Sequence, residues 1–211
     1  WKRQSTWWLL MSGAAAGLAF LSKGSALFLI PFIGLVLLWA WWTGARWPLT
    51  GRGLAHRMSA LPTYVGVGLI WLAVAALIFV ALWPAMWVEP VGTLSEMLGK
   101  VERYAQEAHT KGNFFMGQPV EDPGLLFYPL ILLLRTTPIS LLGLLLFLAF
   151  LVGHARRCGS SSLFYNAKVQ VQVSLLVFII LFTLSMGMGS KKFDRYLLPA
   201  FPAIDILAGI A

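Results

Sequence analysis

Between Gly189 and Pro202 the chain reads Gly-Ser-Lys-Lys-Phe-Asp-Arg-Tyr-Leu-Leu-Pro-Ala-Phe-Pro, and this stretch holds the side chains with the clearest chemical capacity. Lys191, Lys192 and Arg195 place three cations within five residues, with Asp194 among them and strongly apolar runs on both sides. Cations clustered at the edge of an apolar segment make a seat for a phosphate group. Arginine supplies a planar fork that fixes geometry, and lysine a mobile point charge. The competing explanation is that such side chains snorkel from a membrane helix toward lipid headgroups. The side of the membrane that the cluster faces separates the two, and the elements that carry the cluster set that side.

Composition sets the class. Hydrophobic residues make up 59% of the 211 residues, charged residues only 11%, and ten are Trp; the mean hydropathy is +0.78. A water-soluble core of this length has no room for so much apolar surface, and the expectation is a polytopic membrane protein. The chain opens on Trp1 with no charged leader or cleavage site before the first apolar run, and stops at Ala211 inside another. The expectation is therefore a single transmembrane domain over 1–211 that is an internal or partial piece of a longer protein, without a signal peptide. Cys158 is the sole cysteine, which excludes a disulfide framework or a multi-thiolate metal site within the chain.

Six apolar runs follow one another: Trp7 to Leu21, Ser25 to Trp42, Tyr64 to Trp87, Leu125 to Val152, Val169 to Met188, and Tyr196 to the end. A helix needs about 20 residues to cross the hydrocarbon. The third, fourth and fifth runs reach that unaided; the first and last are short. The first either extends past Lys23 by snorkelling or forms a partly penetrating hairpin with the second. The runs are continuous and lack the two-residue alternation of a transmembrane barrel, so the predicted class is all-α, a helical bundle of about six membrane segments.

Charge placement orients this bundle. Lys2 and Arg3, then Arg46, Arg52 and Arg57, then Arg156, Arg157 and Lys168 fill alternate connections with eight cations and no carboxylate. Those connections are predicted to be cytoplasmic. Lys23, the loop 89–124 and the Lys191 to Arg195 cluster then lie outside, with every acidic residue except Asp205. The outer face is where the rule expects few cations, so snorkelling explains Lys23, Lys191, Lys192 and Arg195 poorly, and a functional role is expected. The same assignment accounts for the net charge of +8 without a nucleic-acid partner.

Arg135 interrupts the fourth run, where a charge in hydrocarbon costs about 2.5 to 3.5 kcal/mol. Two arrangements accommodate it. Phe127 to Leu134 is a short surface helix ahead of a true span from Pro138 to Val152, since proline opens helices well; or Arg135 faces a polar cavity. In the long outer loop, Leu94, Met97, Leu98, Val101, Tyr104 and Ala105 recur at three and four, predicting an amphipathic helix over Thr93 to Ala108 capped at Thr93 or Ser95. His109 to Gly117 loses this periodicity and is expected to be a mobile lid, with His109 and Asn113 as secondary contacts. Solvation is the ordinary state of a single loop histidine, and also the expectation for the adjacent Glu121 and Asp122. No zinc spacing, phosphate loop or nucleophile elbow is present.

Gly17-Leu-Ala-Phe-Leu-Ser-Lys-Gly24, Gly112-Asn-Phe-Phe-Met-Gly117 with Phe127-Tyr128-Pro129 behind it, and Lys192-Phe-Asp-Arg-Tyr-Leu-Leu-Pro-Ala-Phe-Pro202 together resemble the integral-membrane glycosyltransferases of GT-C type that use polyprenyl-phosphate sugars, above all protein O-mannosyltransferases and aminoarabinose transferases. The resemblance covers nearly the whole chain in the same order, in short pieces. It implies a multi-span fold in a bacterial inner or plasma membrane, with an extracytoplasmic active site where a sugar leaves a lipid-phosphate carrier for an acceptor with inversion. The base of such enzymes is an acidic residue of a first outer loop, which these segments do not include, so no catalytic residue is assigned. No cofactor is required; some relatives hold a divalent metal, which these residues do not imply.

On chemical grounds, cations that meet the developing charge of a phosphate leaving group lower the barrier to its departure. Arg195 is the candidate for positioning, Lys191 or Lys192 for charge, and Lys23 for approach to the same pocket. Tyr196 is either a donor to a phosphate oxygen or an interfacial aromatic at a helix start. Membrane lipids and an acceptor of unknown type complete the expected partners. The rival class is a transporter or flippase that recruits an anion without chemistry; a ligand-free membrane scaffold is a third.

Overall fold

The computed structural model describes residues 6–43, 54–106, 113–159, 166–189 and 192–210. The chain is mostly helical and divides into two compact units, Trp1–Met97 and Leu98–Ala211.

In the first unit, α1 (Thr6–Ser22) ends at Lys23, whose extended backbone leads into a 3-10 turn, Gly24–Phe28, and then α2 (Leu29–Thr43). The third helix, α3 (Leu54–Leu82), begins ten residues before the apolar run that signalled it and carries Pro62 inside it. A short α4 (Ala85–Val88) follows Pro84. Helices α1 and α2 both pack on α3. The α1 seam is built from small residues: Gly13 and Gly17, one turn apart, with Ala16 between them against Ala75, which is fully buried. A Cβ on Gly17 would stand 2.5 Å from the Ala75 carbonyl oxygen, and one on Gly13 2.9 Å from that of Trp71. Only glycine lets the two backbones approach this closely. Trp71 closes the seam, with Phe20 edge-on at 6.4 Å.

The amphipathic helix of the long loop is α5 (Pro90–Gln106). Proline opens it, three residues earlier than a Thr93 cap would have it. Thr93 lies within the helix, where its hydroxyl donates to the Ala85 carbonyl. The expected lid lies partly outside the described residues, His109 included; the remainder is a strand pair. β1 (Asn113–Phe115) and β2 (Gln118–Val120) run antiparallel, with Asn113 opposite Val120 and Phe115 opposite Gln118. The turn between them puts Met116 at φ 53° and Gly117 at φ 85°, the positive values that a tight two-residue hairpin turn demands.

In the second unit, α6 (Phe127–Arg135) is followed without a long break by α7 (Pro138–Cys158). Thr137 caps α7 by accepting from the Ser140 amide at 3.2 Å, and Pro138 occupies the first helical position. Of the two arrangements for Arg135, the separate short helix is the one observed. The helix after it runs 21 residues to Cys158 rather than stopping near Val152, so it is not short. Next come α8 (Ala167–Gly187), capped by Asn166, a 3-10 turn at Asp194–Leu197, and α9 (Ala200–Ile210). Phe147, Ile179, Ala203, Ile204 and Leu207 form the buried core among α7, α8 and α9. Close contact of Gly143 with Ala208 brings α7 and α9 together, and the Ser140 hydroxyl donates to Asp205 at 2.6 Å across that interface.

Among the described residues four helical stretches are long and apolar enough to cross a membrane: Gly24–Thr43, Leu61–Leu82, Pro138–Arg157 and Lys168–Gly187. Two shorter apolar helices, Thr6–Ser22 and Ala200–Ile210, accompany them.

Candidate functional site

The cationic stretch lies along α6. Leu197 is fully buried and packs with Phe127 and Tyr128, the first two residues of α6, which anchors the strand-like residues ahead of it. Around this core stand Phe115 from the hairpin, Met186 from α8, and Tyr196 and Phe201. Phe115 meets Phe127 at 5.6 Å, and Phe127 meets Tyr128 edge-on at 5.0 Å. The hairpin is thus tied to the same aromatic cluster that seats the cations.

Three consecutive residues then make three polar contacts along the length of α6. Lys192 Nζ donates to Asp122 Oδ1 at 2.5 Å, ahead of the helix. The Phe193 amide donates to the Tyr128 hydroxyl at 3.3 Å, in its first turn. Asp194 accepts from Arg135, the last residue of the helix, and its other carboxylate oxygen accepts from the Arg195 amide at 2.7 Å. Residues 192–194 are strapped to α6 from one end to the other.

The two ion pairs differ in setting. Arg135 and Asp194 keep 63% and 38% of their side-chain surface, so theirs is a solvent-screened contact of the kind worth about 0 to 1 kcal/mol. Lys192 keeps 1% against 50% for Asp122. Burying an ammonium is costly unless an anion accompanies it, and Asp122 is that anion. The Lys192 hydrogen bond, and after it the Gly124 amide at 2.9 Å, hold the Asp122 carboxyl below its ordinary pKa. Burial pushes the Tyr128 phenol up to about 12, so it stays a neutral acceptor for Phe193.

Arg195 is exposed, with its guanidinium carbon 4.4 Å from the centroid of the Phe193 ring. Tyr196 is half-buried, edge-on to Phe193 at 5.5 Å. Of the residues expected at the site, Lys192, Arg195, Tyr196 and Arg135 therefore fall in the second unit, on the strap or the helix beneath it. Lys23 belongs to the first unit, at the break between α1 and the 3-10 turn. Asn113 begins β1. Lys191 and His109 lie outside the described residues.

Asp122 and Tyr128 are the residues that sequence reasoning missed. Asp122 is not the merely solvated loop carboxylate that its neighbourhood suggests; it is the counter-ion of a buried lysine 70 positions away. Asp-Pro-Gly at 122–124 was the available signal, since this order favours a side chain that bonds the backbone two residues on. That bond is observed, with Gly124 at φ 72°. On this strap and helix Lys192 pairs with Asp122 and Arg135 with Asp194, and the Arg195 guanidinium stands beside them. Among the described residues no three His, Cys, Asp or Glu side chains converge to hold a metal ion. The chain was compared with family models, curated proteins and solved structures, and matches none of them.

Proposed function

We propose that this chain is the membrane portion of a glycosyltransferase that moves a sugar from a polyprenyl-phosphate carrier to an acceptor at the extracytoplasmic face. In this reading α1, the segment through α2, α3, α7, α8 and α9 are six membrane segments. The loop 89–124, with α5 and the hairpin, lies outside, and α6 rests at the outer surface. The four long apolar helices support the membrane setting. The resemblance of the Lys192 to Pro202 segment and its companions to polyprenyl-phosphate-sugar transferases supports the chemistry.

One observation carries the reading furthest: in the most cation-rich short segment of a strongly apolar chain, a lysine keeps only 1% of its side-chain surface and has a half-exposed carboxylate, Asp122, as its counter-ion. A site that keeps an ammonium away from water in this way is selective for an anion. Arg195, exposed beside it in sequence and steadied over the Phe193 ring, is the second phosphate contact. Lys191 is a further candidate for the same group. The general base is not assigned to any residue of this chain.

Sugar transfer from a polyprenyl-phosphate donor by purified variants in nanodiscs tests the assignment. Arg195→Ala is expected to reduce transfer about ten-fold to a hundred-fold, the range for one lost charge-assisted contact, with membrane insertion intact. Arg195→Lys recovers part of the loss, because an ammonium lacks the planar fork. Full activity in Arg195→Ala and in the Lys191→Ala, Lys192→Ala double variant rejects the phosphate seat. Binding of an anion by the wild type without any sugar transfer favours the transporter class instead.

A further inference from the structure

We propose that Asp122 is a displaceable counter-ion: it holds the position on Lys192 Nζ that a phosphate ester takes when ligand binds, and gives that position up to the ligand. The inference rests on the phosphate-carrier reading above and adds to it the residue with which the ligand competes.

The Lys192–Asp122 pair is asymmetric. Lys192 keeps 1% of its side-chain surface and Asp122 keeps 50%. A buried ammonium needs an anion in contact with it at all times, since leaving it alone is strongly destabilising. A half-exposed carboxylate has no such need, because water takes over as soon as its partner departs. The pair can therefore exchange one member only, and Asp122 is that member. A ligand that approaches from solvent also meets the accessible carboxylate before the buried ammonium.

Chemical capacity points the same way. An ammonium has three N–H donors, and among the described residues Asp122 Oδ1, at 2.5 Å, is the acceptor that meets them. In this contact the carboxylate offers Lys192 one oxygen, Oδ1, which it shares with the Gly124 amide, whereas a phosphate ester carries two or three non-bridging oxygens to offer those donors. The attachment of Asp122 is also local. Its side chain accepts from Gly124 N–H two residues on, in a turn just ahead of α6. Rotation of this side chain does not require α6 to move, because Phe127 and Tyr128 are held independently by Leu197. The strap also keeps its other fastenings, from Phe193 to Tyr128 and from Asp194 to Arg135, while Lys192 changes partner. Arg195, exposed one residue past Asp194, places a further cation beside the strap.

The test measures binding to the full-length protein in detergent, with inorganic phosphate in one arm and farnesyl phosphate in the other. Asp122→Asn removes the competing charge and is expected to tighten binding about ten-fold, the lower end for one charge-assisted contact. Lys192→Met is expected to abolish it. Tightening in both arms shows that the phosphate group alone is recognised; tightening only with farnesyl phosphate shows that a lipid-borne phosphate is required. Binding by Asp122→Asn equal to or weaker than wild type overturns the proposal, as does wild-type binding by Lys192→Met or no binding by any form. Should Asp122→Asn not fold, hydrogen exchange on the wild type decides. Saturating phosphate is expected to speed exchange at the Gly124 amide, whose acceptor leaves, and unchanged or slower exchange there overturns the idea. None of these readouts involves sugar transfer. A failed transferase reading leaves Asp122-sensitive binding without chemistry, whereas a failed counter-ion leaves binding indifferent to Asp122.

Discussion

Asp122 and Lys192 also make a pH-dependent fastening. The Asp122 carboxyl is held below its ordinary value by the Lys192 hydrogen bond and by the Gly124 amide. Its folded-state pKa is therefore lower than its unfolded one, near 3.9. A carboxyl shifted in this direction contributes stability that is fully present above the unfolded pKa and is lost as pH falls through the folded one. Thermal stability of the wild type is thus expected to decline below about pH 4 by a component that Asp122→Asn lacks. Paired melting curves from pH 6 down to pH 2.5 measure it, and parallel curves for the two proteins exclude it. The cations of this site could be read from the sequence because a charge in an apolar chain stands out. Their partners could not: Asp122 and Tyr128 are 70 and 65 positions from the residues they bond. No local pattern encodes a contact of that separation.

Helices were the most readable elements, since each apolar run is long enough to specify one. Pro138 marked the start of α7 because a proline at the first helical position loses no hydrogen bond. The hairpin was hidden for the opposite reason. Its turn carries Met116-Gly117, whereas the usual signal is Asn or Asp before Gly, and its strands are three residues each. The α1 to α3 seam was likewise not foreseen, although Gly13 and Gly17 are spaced four apart as close helix pairs require. A side chain at Gly17 meets the Ala75 carbonyl at 2.5 Å and the Ile78 Cβ at 2.9 Å. Gly17→Leu is expected to destabilise the first unit by about 1 to 3 kcal/mol, the usual cost of forcing atoms into a packed seam. Gly34→Leu is the control, because nothing lies within 4 Å of a Cβ there. Survival of folded protein after heating in detergent ranks the two, and equal losses would show that the seam tolerates separation.

For the molecule as a whole, the sequence points to an all-α bundle of about six membrane segments; the structure is mostly helical, and among the described residues four helices meet the length for crossing a membrane. Sidedness rests on the eight unopposed cations of alternate connections. The proposed topology places Ser22 and Thr110 outside and Ser160 inside. Single cysteines at these positions in a Cys158→Ser background are expected to react with a membrane-impermeant reagent in intact cells at the first two and not at the third. The reverse pattern inverts the molecule and removes the outer phosphate seat with it.

The bond from Ser140 to Asp205 bears on how such a chain is made. Asp205 is a carboxylate within an otherwise apolar α9, and a lone acid at the centre of a bilayer costs about 2.5 to 3.5 kcal/mol during insertion. Its acceptor oxygen is met at 2.6 Å by the Ser140 hydroxyl, which itself receives a hydrogen bond from Thr137 at 3.0 Å. A ribosome delivers residue 140 some sixty residues before residue 205. The hydroxyl pair at the head of α7 is thus made, in the proposed topology, before the acidic helix that it bonds. In the proposed topology, biogenesis has a built-in order in which α7 acts as the receptor for α9, and the last segment enters the bilayer by docking rather than by partitioning alone.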